Sequence, residues 1–302
     1  MLKAIMRKTS FVIHFDSLFW PLKKESELID PSYFKIADRF FRLAEKYGFK
    51  YTIFVIGKDL ENPAIREKIK CWHEAGHEIA NHSYSHDINL GTFKKEKIKE
   101  DVLRSHELIY RATGEEPRGF VSPAWSISDN LLEVLKEAGY SYDISAFPSY
   151  FMFPMLLKLA ALNKKNPEKQ PNGESIGKSL LNFLMPKQPY KKNGIVVLPL
   201  PVTPILQMPC WHTASFIFGK NLFNGVLRKC LSAYDNFYYV MHPADLADLN
   251  DIPAEFRDKL EMFERMNVPL AEKEKHLDLS FQTMLGERKE IVTLGQMSKE
   301  LI

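Results

Sequence analysis

Cysteine is scarce: Cys71, Cys210 and Cys230 are the only three in 302 residues, and no two form a Cys-x-x-Cys pair. An odd, widely spaced set excludes a disulfide framework and a thiolate metal site, so the three are read as reduced and mostly buried. No run of 18 apolar residues occurs, which excludes a membrane-spanning helix by length. The first ten residues, M-L-K-A-I-M-R-K-T-S, carry charge without the apolar core of a secretion signal, and the cytoplasm is the expected location. An excess of one charge is missing too. Lys and Arg number 41 against 38 acids, a net charge of +3, and no basic stripe interleaves with aromatics; a nucleic-acid partner is not expected. Hydrophobic residues at 45% and charged residues at 26% exclude disordered and collagen-like chains, and the length accommodates a sizeable core.

What is present is an alternation. Ser10–Phe15, Tyr51–Ile56, Ile79–Ala80, Arg118–Val121, Tyr140–Ser145, Ile195–Leu198, Thr213–Phe218 and Phe237–Met241 read as strands. Between them lie helical patterns: one opened by Asp30-Pro31 and closed by Gly48, one from Pro63 to Gly76, a charged one over Phe93–Thr113, and further ones over Leu131–Ala138 and Asn221–Leu231. Pro253–Met266 is amphipathic, Thr293–Leu301 reads as a terminal helix, and the polar tract between them carries no pattern. Strands alternating with helices imply βα units and a parallel sheet or barrel. Residues 147–194 break the rhythm with apolar patches flanked by lysines. They read as an insertion: a lid, a cover for a partner subunit, or a segment for peripheral membrane contact. The expected organisation is one domain over residues 1–302 carrying that insertion.

Three of the nine histidines fall in Gly76–His86, G-H-E-I-A-N-H-S-Y-S-H. His82 and His86 are four apart, so one helical turn after the strand would bring their Cβ atoms to roughly 5–6 Å. Asp16, Asp143 and His242 also follow β-runs, and strand ends of one sense share a rim in parallel barrels. A carboxylate and two imidazoles suit Zn2+ or a similar divalent ion, and a further His with an Asp partner suits general acid chemistry. His14 faces the same side as Asp16 by the two-residue period, and it either enters the site or packs as a core histidine. Trp125, Trp211 and His212 either line a sugar-binding face or belong to the core. His106, on the inner face of the Phe93–Thr113 helix, is read as packed.

The Gly76–His86 stretch resembles the second motif of the polysaccharide deacetylases, carbohydrate esterase family 4, also called the NodB-homology domain. F-V-I-H-F-D (11–16) is similar to the first motif, G-F-V-S-P-A-W (119–125) to the third, G-Y-S-Y-D-I-S (139–145) to the fourth and Y-V-M-H-P-A-D-L (239–246) to the fifth. The resemblance covers about residues 10–245, outside the insertion. It implies an α/β fold, a deformed (β/α)7 TIM-like barrel, and metal-dependent removal of an N-acyl group from an amino sugar of a surface polysaccharide or its precursor, a lipid-linked form included. By the same resemblance Asp16, His82 and His86 hold the metal, Asp16 is the general base, His242 the general acid, and Asp143 orients His242. Ser17 stands where the family usually has a second, metal-binding acid, and Val121 where it commonly has arginine. The rival readings are hydrolysis of a non-sugar linear amide and a weakened member that binds a glycan.

Overall fold

The structure is a computed structural model, and it describes residues 7–18, 30–164, 169–260, 264–287 and 290–301. The start of the sequence read above for a secretion signal, 1–6, and residues 165–168 of the insertion lie outside the described residues. The chain runs β1 (Lys8–Phe15), α1 (Lys35–Tyr47), β2 (Tyr51–Val55), α2 (Pro63–Glu74), β3 (Glu78–Asn81), α3 (Lys95–Thr113), β4 (Gly119–Phe120), α4 (Asp129–Glu137) and β5 (Tyr142–Asp143). It continues through α5 (Met152–Leu162), α6 (Gly173–Ser179), β6 (Tyr190–Lys192), β7 (Ile195–Val197), α7 (Ala214–Phe218), α8 (Lys220–Ala233) and β8 (Asn236–Met241). It ends with α9 (Ala254–Leu260), α10 (Leu270–Glu287), β9 (Glu290–Ile291) and α11 (Leu294–Lys299).

The strands form one sheet in the order β6-β7-β5-β4-β3-β2-β1-β8, with β9 added to the start of β1. All pairings are parallel except β6 with β7, so the (β/α)7 barrel is made of β1–β5, β7 and β8. It is a deformed barrel. No β7–β8 pairing occurs among the described residues, and the Tyr238 hydroxyl crosses the gap to donate to the Leu198 carbonyl at 3.0 Å. Parallel strands covered on both faces read as continuous apolar runs, and every residue of β1 and β2 is buried. Side chains alternate along β1. Phe11 packs on Phe49 and Phe281 and Phe15 on Tyr33 and Trp72, towards the helices, which leaves His14 and Asp16 to the inside.

Local chemistry sets the element ends. Asp30 accepts from Ser32 N at 2.8 Å and caps a short turn, so the helix expected from Asp30-Pro31 begins at Lys35 instead. Gly48 closes that helix with φ +70°, a left-handed position that suits glycine. Gly119 is required by closeness: a Cβ there would run into the fully buried Tyr142 ring, whose hydroxyl donates to Glu78 at 2.8 Å. Gly119→Ala is expected to lower the unfolding free energy by about 2–3 kcal/mol in urea titration, because neither strand has room to give.

Two expectations are corrected. Thr213–Phe218 is helical, not a strand: after His212 N donates to the Val240 carbonyl at 2.9 Å the chain turns away, and tertiary contacts override β-branched and aromatic composition. The polar tract after Met266 holds the 18-residue helix α10, which buries Lys273, His276 and Ser280 beside Leu277, Phe281 and Met284. Within the segment read as an insertion, β6 belongs to the sheet, joined to β7 through Asn193 and Gly194 at φ 51° and 83°. No helix among the described residues is long and apolar enough to cross a membrane.

Candidate functional site

Asp16, at the end of β1, meets two imidazoles from the segment after β3. Its Oδ1 lies 3.1 Å from His82 Nε2 and 3.4 Å from His86 Nε2, and its Oδ2 lies 3.9 Å from His242 Nε2 at the end of β8. One ligand atom each from Asp16, His82 and His86 falls within 4.8 Å of the others. The helical turn expected between the two histidines is absent. Ser83 and His86 adopt left-handed φ of 65° and 53°, and this tight loop brings the ring centroids to 4.8 Å. Such residues cost free energy unless their surroundings enforce them. Here the Asp101 carboxylate accepts from Tyr84 N (2.8 Å) and Ser85 N (3.0 Å), and Ser83 Oγ accepts from His86 N (3.0 Å).

Hydrogen bonding fixes the state of His82. Its Nδ1 sits 2.9 Å from the Val121 carbonyl, which can only accept, so Nδ1 carries a proton and Nε2 is the atom turned to the Asp16 carboxylate. Without a proton on Nε2, two acceptors would face each other at close range. That arrangement is stable only with a cation, a proton or a metal, between them, and the donor set of one carboxylate and two imidazoles fits a divalent metal. Burial raises the Asp16 pKa, but the His86 and His82 rings outweigh it and hold the carboxyl well below its usual range.

His242 is held from behind by a network that the sequence reading missed. Thr213 Oγ1 donates to Asp245 Oδ1 (3.0 Å) and accepts from Arg265 Nη1 (2.9 Å), and His242 Nδ1 lies 3.3 Å from the same hydroxyl. Because the hydroxyl proton is committed to Asp245, His242 Nδ1 must be the donor and Nε2 faces the cleft. Asp245 Oδ2 accepts the His242 backbone N–H at 2.8 Å and lies 3.8 Å from Nδ1. Its burial works to raise the carboxyl pKa, while the bond from His242 and the Arg265 charge hold it well below the usual range. An acid three residues after a strand-end histidine, His-Pro-Ala-Asp, is a capping-box spacing and was the available signal. Arg265 gave none.

The expectation that Asp143 orients His242 is therefore corrected. Asp143 is fully buried and accepts from Ser145 N (2.9 Å) and Ser145 Oγ (2.6 Å), while Asp245 takes the place at His242. Burial, partly offset by Ser145, raises the Asp143 pKa to about 7. Between about pH 4 and 7 the unfolded chain ionises while the folded chain keeps its proton, so this group removes stability as pH rises through that window. Asp143→Asn is expected to be more stable than wild type above pH 7, by up to about 4 kcal/mol, with the difference vanishing near pH 4. Thermal unfolding at the two ends of the range measures it.

His14 lies in the site's floor, its ring centroid 5.2 Å from His82, 5.3 Å from His242 and 5.5 Å from Trp125. Burial, then the neighbouring His82 and His242, push its pKa well below the usual value, so it is neutral. Ala124 and Trp125 both have left-handed φ, 49° and 52°, and this strained pair lays Trp125 on Trp211 at 5.0 Å and 17°. Both indole N–H groups are buried without a hydrogen-bond partner among the described residues. His212 takes the core reading: its Nδ1 pairs with the Tyr239 hydroxyl at 2.8 Å and its ring lies 5.2 Å from His276. His106 is half-buried against the Tyr140 hydroxyl at 3.2 Å. Ser17, where a second acid was absent, donates to the Asp30 carboxylate.

Residues 28–142 match the family model described as polysaccharide deacetylase. A peptidoglycan deacetylase of Helicobacter pylori is 37% identical over 114 residues, which are 37% of this chain and 38% of that protein. A peptidoglycan-N-acetylglucosamine deacetylase of Bacillus cereus is 28% identical over 97 residues, 32% of this chain and 34% of that protein. The chain thus spans little more than a third of the curated relatives it matches. Among solved structures, a protein from Mycobacterium smegmatis assigned to the polysaccharide deacetylases is similar over 97% of this chain and 89% of that one, with a TM-score of 0.58 at 14% identity. That likeness is one of fold.

Proposed function

On the match of residues 28–142 to the polysaccharide deacetylase model, we propose that the chain is a member of that family, a metal-dependent amidohydrolase that removes an N-acyl group, acetyl in the first instance, from an amino sugar of a surface polysaccharide or its precursor. The observation that carries this reading is the convergence of Asp16, His82 and His86, one ligand atom of each within 4.8 Å of the others. Those three side chains would hold the metal, with Zn2+ favoured by the imidazole-rich set. A bound divalent cation supplies Lewis acidity towards the amide carbonyl and acidifies a water.

The chain's own residues do the rest. Asp16, kept ionised by its histidine neighbours, is the proton acceptor for an attacking water through Oδ2, the oxygen turned towards His242. An amine leaves poorly unless protonated, and His242 Nε2 is the donor on that side of the cleft. Its Nδ1 is fixed by Thr213, and the ionised Asp245 beside it suits a ring that carries two protons before transfer. Trp125, 6.4 Å from His242 and stacked on Trp211, is the aromatic ring beside the acid, a placement suited to a pyranose ring. Incubation of the zinc-loaded protein with N-acetylglucosamine oligomers and, separately, with linear amides tests the reading. Acetate release from the sugars alone supports it, and turnover of the linear amides alone replaces it.

A second reading, a weakened member that binds a glycan, is favoured by Ser17, whose hydroxyl is engaged by Asp30 and supplies no second carboxylate. Unchanged glycan affinity together with absent turnover in the zinc-loaded protein would select it.

A further inference from the structure

Twelve large hydrophobic side chains are exposed among the described residues, and nine of them fall between residues 150 and 222. The segments that carry them adjoin. The Tyr150 ring stacks on Phe183 at 5.0 Å, the Gln207 side chain donates to the Phe183 carbonyl at 2.9 Å, Lys187 Nζ donates to the Pro204 carbonyl at 2.8 Å, and Phe151 meets Phe218 at 5.2 Å. Leu180, Leu181 and Leu184 therefore share one surface with Ile205, Leu206 and Ile217, and Ile205 is 85% and Leu184 67% exposed. A contiguous apolar face of this kind marks an interaction surface.

Its charge is as uneven as its hydrophobicity. Residues 147–194 hold eight lysines against two glutamates and no arginine or aspartate, a surplus of six positive charges in a chain of net +3, so the remaining residues carry a net −3. The segment leaves the sheet after β5, from the rim that bears Asp16. It is tied beside His86: Asn89 Nδ2 donates to the Gln170 carbonyl (2.9 Å) and Asn89 Oδ1 accepts from Asn172 N (2.8 Å).

We propose that this face docks the protein on an anionic bilayer surface, with the leucine and isoleucine side chains at the acyl boundary and the lysines among the headgroups. Exposed apolar side chains in and beside a lysine-rich segment fit a lipid interface, which solvates both at once. A second copy of this chain fits badly, because self-association would bring two positive faces together. The site rim then borders the membrane, within reach of a substrate carried by a lipid.

Co-sedimentation of the full chain with extruded vesicles tests this without reference to catalysis. With about 30% phosphatidylglycerol in phosphatidylcholine, binding is expected at low salt and is expected to weaken strongly in about 0.5 M salt or on phosphatidylcholine alone. Lys164→Gln with Lys187→Gln should weaken partition by about fivefold per lysine. Leu184→Ser with Ile205→Ser should weaken it at least tenfold with unchanged thermal unfolding, because both side chains are exposed. Failure of the wild type to sediment with the anionic vesicles overturns the proposal, as does wild-type partition in the double serine variant. A dimer by light scattering that becomes a monomer in that variant also overturns it, and identifies the face as an interface between copies.

Discussion

His82→Ala is expected to strip the purified protein of its bound metal and to lower deacylation by about a thousandfold, the several kcal/mol that an electrophilic cation supplies to an amide's transition state. Both losses follow from one geometric fact. His82 offers its Nε2 lone pair to the space beside Asp16 because its Nδ1 proton is used on the Val121 carbonyl. Alanine removes the ligand atom and leaves Asp16 Oδ1 with His86 alone, two donors where a catalytic zinc needs about three. Metal content by elemental analysis is the decisive readout, since activity alone also falls for a misfolded variant. Wild-type stoichiometry in the alanine variant would remove His82 from the ligand set whatever happens to turnover. His86→Ala should behave alike, whereas His14→Phe, one layer below, should keep its metal.

Asp245→Asn is expected to reduce kcat by about a hundredfold with little change in KM, the range typical of impaired general acid catalysis. The amide keeps the shape of the carboxylate and removes the negative charge that lies 3.8 Å from His242 Nδ1 and 3.2 Å from Arg265 Nη1. Metal content should stay intact, which separates this variant from His82→Ala. Asp245→Ala should in addition cost about 3–5 kcal/mol of stability, because Arg265 loses its buried partner. A basic-limb shift in the pH profile of kcat for Asp245→Asn, absent in Asp143→Asn, would distinguish orientation of the acid from mere support of the fold. If Asp143→Asn alone shows the loss, Thr213, Asp245 and Arg265 are structural and the acid is oriented from the other side.

The difference between those two aspartates marks how far the sequence could be read. The alternation of strands and helices, and motifs falling in order, led to a (β/α)7 barrel because periodicity and capping are local properties. Placing Asp16, His82, His86 and His242 on one rim needed only the rule that parallel strands end together. Which acid touches His242 was legible in the local His-Pro-Ala-Asp spacing, whereas the Thr213 and Arg265 contacts behind it come from distant segments, which no local pattern encodes. The helix α10 escaped notice for a related reason: its inner face buries Lys273, with Nζ donating to the Ala244 and Ala247 carbonyls, so the apolar stripe that marks a helix is interrupted where it packs. Of the two readings left open for His212 the core is the one taken, because the turn that lays Trp211 on Trp125 sends the next side chain to Tyr239 and His276.

The pairing of β1 carries a consequence for how the molecule comes into being. This strand lies between β2, made next, and β8, whose partners Asn236–Met241 are among the later residues of the chain, while β9 at Glu290–Ile291 also pairs with its start. On the ribosome, a nascent chain that has emerged only as far as residue 235 holds both imidazoles of the proposed metal site but exposes one edge of β1 to whatever strand it meets. Asp16 is synthesised well before β8 and is fixed in place only after it. Premature termination should therefore yield sticky, edge-exposed fragments with little specific affinity for zinc, and the completed chain should acquire its centre in one late step.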